Sequence, residues 1–174
     1  MQKRTMTTKI TDWWRRWASR LLATSWVLGI LMGCGAAKSA SSVLTVLLRG
    51  CVTADMTLWG IVSVTMLPFL LSAFAVSFSE PWLLLFISTF KAFSFSFCAW
   101  GVCLAFGHSS WLVLFLLLFS DFLLIPLLVF YWLRHIRGDI LSPPWELPLF
   151  LGIALGVGYI DYRYIAPFLA SLMK

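Results

Sequence analysis

Charge is what this sequence has least of. Asp, Glu, Lys and Arg make up 11% of its 174 residues, where a water-soluble domain carries about 25%. Seven acids stand against thirteen bases, and there are two histidines. So few ionisable groups cannot coat a soluble globule, which places the chain in the membrane class. The motifs of catalysis are missing as well. No Gly-x-Ser-x-Gly, His-Glu-x-x-His, Walker A or Gly-x-Gly-x-x-Gly pattern occurs, and neither His108 nor His135 has a serine or cysteine nucleophile at a constrained spacing. Asp121 with Asp161 is the only candidate pair for an intramembrane aspartyl protease, and no glycine-tyrosine motif accompanies either. The expectation is therefore not an enzyme. The four cysteines, Cys34, Cys51, Cys98 and Cys103, form no CxxC pair, so no metal and no cofactor are expected. They read as small apolar packers, with a Cys51–Cys103 or Cys51–Cys34 disulfide as the alternative.

What the sequence has is apolar length. Hydrophobic residues make up 61% and the mean hydropathy is +0.93. A helix needs about 20 apolar residues to cross the hydrocarbon core. Five runs approach or exceed that: 21–37, 58–78, 82–106, 111–133 and 147–170. The predicted fold is all-α, a polytopic integral membrane bundle of about five transmembrane helices forming one domain over 21–174. Pro68 lies inside the run 58–78 and Pro126 inside 111–133, and a bend is expected at each. Gly29 with Gly33, and Gly152 with Gly156, have the GxxxG spacing that lets helices approach closely. They read as helix-packing faces, with a homo-oligomer possible.

Residues 1–20 are basic and aromatic, and predict an N-terminal interfacial amphipathic helix. Trp13, Trp14, Arg15, Arg16 and Trp17 have the composition of a lipid-interface segment. The net charge of +6 would suit nucleic acid in a soluble protein. Here the bases sit beside apolar runs, so they point to topology and anionic lipid head groups, not to nucleic acid. Leu31-Met32-Gly33-Cys34 has the outline of a lipoprotein cleavage box, although Met32 is unusual there and the expectation is an uncleaved span.

Two charges fall inside apolar runs, Lys91 and Asp121, and a third, Asp161, lies deep in the last. Counting about 1.5 Å per residue from the inner edge puts all three at similar depths, about 14 to 21 Å. An unpaired ion at mid-bilayer is costly, so Lys91 should pair with Asp121, Asp161 or both, with Arg163 nearer the outer boundary. The cluster is either a register-setting ion pair or a proton or solute relay. The basic N-terminus and the Arg134–Arg137 segment fall on one side of a five-span path, which predicts the N-terminus inside.

Three stretches resemble the stage II sporulation protein M family of bacterial membrane proteins. They are Leu28 to Ala37, Phe69 to Gly107 with "LLLFISTFKAFSFSFCAWGV", and "WLVLFLLLFSDFLLIPLLVF". The family has a glycine where this chain has Ala92, and a histidine or asparagine with a glutamate where this chain has Ser120 and Asp121. The resemblance implies a five-span, non-enzymatic scaffold of the bacterial cell membrane, with a cytoplasmic N-terminus. Its partners would be the lipid bilayer and other membrane or cell-envelope proteins, cell-wall hydrolases during engulfment among them. The rival expectation is a small-solute permease or the substrate-binding membrane subunit of an importer, which should hold a polar cavity near Lys91, Asp121 and Asp161.

Overall fold

The structure is a computed structural model and describes residues 2–43, 46, 57–78, 81–107, 110–136 and 145–172. Among these residues the fold is helical with no strand: α1 (Gln2–Ser39), α2 (Leu58–Ser77), α3 (Pro81–Phe106), α4 (Ser110–Leu117), α5 (Phe119–Ile136), α6 (Glu146–Ile160), a π-helical turn (Asp161–Ile165) and α7 (Ala166–Leu172). Among the described residues four stretches are long and apolar enough to cross a membrane: Arg16–Ser39, Trp82–Leu104, Phe119–Ile136 and Glu146–Phe168. The remaining expected span, 58–78, falls on the 20-residue α2, which is not among them; its apolar stretch, Thr65–Ser77, is shorter.

The basic head and the first apolar run form one uninterrupted helix, since α1 passes through Arg20 without a break. Its buried stripe is Ala18, Leu22, Ser25, Gly29, Gly33 and Ala37, a spacing of three or four that holds one face against the bundle. The matching stripe on α3 is Ser88, Ala92 and Ser96. These small residues explain why α1 and α3 form the most extensive helix pairing of the fold. Without bulky side chains between them, two backbones can lie side by side. Aromatic residues on the other sides of α3, Phe86, Phe90 and Trp100 among them, remain exposed.

A second pairing sets α2 against α6, with Phe69 and Phe150 rings 6.1 Å apart. Thr57 caps α2 by accepting from the Gly60 N–H at 3.2 Å. Gly107, at φ 57°, follows α3 in the left-handed conformation that glycine adopts without steric cost. Between the two pairs lies α5, which contacts α1, α2, α3 and α6. It contributes Leu124, Leu128, Tyr131, Trp132 and Ile136 to the core.

The expected span 111–133 is not one regular helix. A single turn residue, Leu118, separates α4 from α5, although Leu118 N still donates to Leu114 O and Phe122 N to Leu118 O. The expected span 147–170 is also interrupted, by the π-helical turn, and here a cause can be named. Pro167 lacks an N–H, and in a regular α-helix its ring would press on the Arg163 carbonyl. One wider turn relieves that contact; at its end the Ala166 N–H bonds to Asp161 O, five residues back.

Candidate functional site

The polar side chains of the bundle interior are assembled by pairs of helices. Lys91 on α3 and Asp121 on α5 meet at 2.5 Å, with side chains 15% and 20% exposed. Lys91 is on the flank of α3 next to the Ser88–Ala92–Ser96 stripe, so its butylene stem can run between α3 and α5 to the carboxylate. Asp121 stands in the first turn of α5, just after the irregularity at Leu118.

Asp161 is the third member of the expected cluster. Ser120 and Asp121 lie beside its carboxyl, and its Oδ1 is buried with no hydrogen-bond partner. It opens the π-helical turn, with its own N–H still bonded to Val157 O as in a regular continuation of α6. No Lys91–Asp161 bridge occurs among the described residues, whose ion pairs are Lys91–Asp121 and Arg134–Glu146. Arg163 lies in the same turn but is exposed, away from the pair.

Three further ties were not anticipated from the sequence. Ser25 on α1 and Ser88 on α3 share a buried hydrogen bond of 2.7 Å. Trp132 on α5 donates its indole N–H to Ser72 Oγ on α2 at 2.7 Å, and Ser72 in turn donates to the Pro68 carbonyl. Arg134 on α5 donates to Glu146 on α6 at 3.0 Å, joining the ends of those helices. A signal existed for the first: Ser25 continues the Gly29–Gly33 stripe by one turn. The Trp132–Ser72 bond had none, since Trp132 reads as an interfacial anchor.

The packing glycines divide sharply. A Cβ on Gly29 would collide with the Thr89 carbonyl and Ala92, and one on Gly33 with Ser96 Oγ and the Phe93 carbonyl. The expected packing role holds for that pair. It is corrected for the other: a Cβ on Gly152 or Gly156 meets nothing within 4 Å. The inward stripe of α6 is Glu146, Phe150, Ala154, Val157 and Gly158, and residues 152 and 156 lie outside it. The glycine that admits α2 is Gly158, where a Cβ would come within 2.8 Å of Thr65 Oγ1.

Toward the N-terminal end of α1, Trp13, Arg16 and Trp17 are exposed, and the Arg20 guanidinium stacks 4.7 Å over the Trp17 ring. The side chains of Trp14 and Arg15 lie outside the described set. Cys34, Cys98 and Cys103 form no disulfide with one another; Cys51 lies outside the described residues, and with it both alternative disulfides. Among the described residues no group of three or more His, Cys, Asp or Glu could hold a metal. Two surface grooves are apolar: one between α1 and α5, the other at Met32, Phe86, Phe90 and Phe93. No family model, no curated protein and no solved structure matches this chain.

Proposed function

We propose that the chain is a non-enzymatic membrane scaffold that recruits or anchors other cell-envelope proteins, as the likeness to stage II sporulation protein M implies. On this reading α2 is a fifth span, and the protein crosses the bacterial cell membrane with its N-terminus in the cytoplasm. The observation that carries the proposal is how the interior polar groups are used. Lys91 is joined to Asp121, Ser25 to Ser88 and Trp132 to Ser72, each across two helices, while the two grooves described above are apolar. Such ties fix helix register; they suit a rigid body that displays a surface more than a path along which a solute moves. The test is purification of the tagged full-length chain from its native membrane. Recovery of cell-wall hydrolases supports the scaffold, and recovery of an ATP-driven transport module overturns it.

One observation favours the rival importer subunit. Asp161 Oδ1 is buried without a partner at a π-helical turn, and such turns are frequent at functional sites. Solute uptake lost on Asp161→Asn, with the protein still accumulating, would decide for that reading.

A further inference from the structure

We infer that α4 and α7 form a cap, hinged at Leu118 and at the π-helical turn, whose opening admits water to Lys91, Asp121 and Asp161. Such a cap is compatible with either the scaffold or the importer. It closes the end of the bundle away from the N-terminal head. The helices α1 and α3 run parallel, since Ser25 meets Ser88, Gly29 meets Ala92 and Gly33 meets Ser96. The C-terminal end of α3 is therefore remote from the head, and there Val102 packs with Val113 of α4.

Leu114, Leu116 and Leu117 of α4 and Ile165 of the turn complete that small apolar cluster. Among the described residues it shares no member with the main core, which takes in α5 from Leu124 onward and α6 as far as Val157. Between the two lies a polar layer. Lys91 is bonded to Asp121, and Ser120 and Asp121 lie beside the Asp161 carboxyl. Both helix irregularities fall at this level, Leu118 just before Ser120 and the wide turn beginning at Asp161. Beyond them α4 has eight residues and α7 seven, about 12 and 10 Å of helix. The two short helices pack on each other, and α4 packs on α3.

The hydrophobic interior is thus divided by charged and hydroxyl groups at the one level where both helices depart from regular geometry. Parting the cap from the body wets that layer, and polar groups regain in water the hydration that burial takes from them. Asp161 Oδ1, buried with no hydrogen-bond partner, then receives a donor. What opposes opening is the small cluster around Val102 and Val113. Element ends of this kind absorb the backbone change of a hinge, and wide turns within helices recur where proteins act.

The test is amide hydrogen exchange of the full-length chain in lipid nanodiscs, read by mass spectrometry. In the unmodified chain, amides of α4 and α7 should exchange at similar rates, several-fold faster than those of 124–136 and 150–160. Cysteines placed at 102 and 113, with the native cysteines replaced by alanine, are then joined by a short thiol crosslinker. That link pins the cap to α3 and should slow exchange at 119–122 and 161–165 several-fold. A link between 113 and 165 ties together two parts of the cap and should leave exchange at 119–122 as it was. Cap amides as slow as those of the body in the unmodified chain overturn the inference, as do unrelated rates in α4 and α7. So does exchange at 119–122 that ignores the 102–113 link, or that the 113–165 link slows equally.

Discussion

Lys91 and Asp121 are thirty positions apart in sequence and 2.5 Å apart in space, each on its own helix. Neither is deeply enclosed, but both belong to helices apolar enough to cross a bilayer. Removing one partner leaves the other as an uncompensated ion, at a cost of about 2.5–3.5 kcal/mol on insertion scales. Removing both leaves an apolar contact. Lys91→Met or Asp121→Leu alone should therefore lower the midpoint of thermal unfolding in detergent by roughly 5–10 °C for a chain of this size. The double variant should return close to the wild type. Exchange of the two residues, Lys91→Asp with Asp121→Lys, should restore the accumulation that each single exchange reduces.

The two GxxxG pairs should respond in opposite ways to alanine. At Gly33 an added methyl meets the Phe93 carbonyl as well as Ser96 Oγ, and a backbone atom cannot swing aside. Gly33→Ala should push α1 off α3 and cost about 1–3 kcal/mol, the range of an overpacked interior. At Gly156 the methyl enters open space, and alanine is the better helix former by up to about 1 kcal/mol. Gly156→Ala should thus be neutral or stabilising. Unfolding of both variants in one detergent checks the sign of the difference.

That contrast also marks how far the sequence can be read. Apolar length revealed the long helices, because nothing but a spanning or buried segment needs so many apolar residues in a row. Charge cost found Lys91 and Asp121, because an ion in such a segment must be answered by another. Spacing alone could not choose between Gly29–Gly33 and Gly152–Gly156, which look identical as text. The choice depends on which face of each helix meets a neighbour, and that follows from the whole arrangement. Nor could it reveal the irregular turns at Leu118 and Asp161, which shift residues that a regular helix would have placed elsewhere. Asp161 lies near Asp121, but among the described residues the lysine is bonded to Asp121 and not to Asp161.

Trp132 and Ser72 offer a cleaner measure of an interhelical hydrogen bond. Both are fully buried, and Ser72 has a second bond to the Pro68 carbonyl. Trp132→Phe leaves that second bond in place, whereas Ser72→Ala strands the indole N–H. A double-mutant cycle on unfolding free energy should give a coupling of about 0.6–1.7 kcal/mol, the range found for such bonds in membrane bundles. A coupling near zero would mean that the indole finds another acceptor once Ser72 is gone.

The π-helical turn yields the last expectation. Pro167 lacks the N–H that a regular α-helix would use there, and its ring would crowd the Arg163 carbonyl; alanine removes both features. In Pro167→Ala the turn should close to ordinary α geometry, which carries one residue fewer per widened loop and so rotates α6 and α7 relative to each other by about 100°. Asp161 would keep its place with α6, while Ile165 at the end of the turn would move off the Val102–Val113 cluster against which it packs now. Cysteines placed at 113 and 165, in a background with the native cysteines replaced by alanine, should be joined by a short thiol crosslinker in the parent chain. They should be joined several-fold more slowly when Pro167→Ala is added. Equal rates would show that packing of the last helix, not the proline, holds the wide turn open.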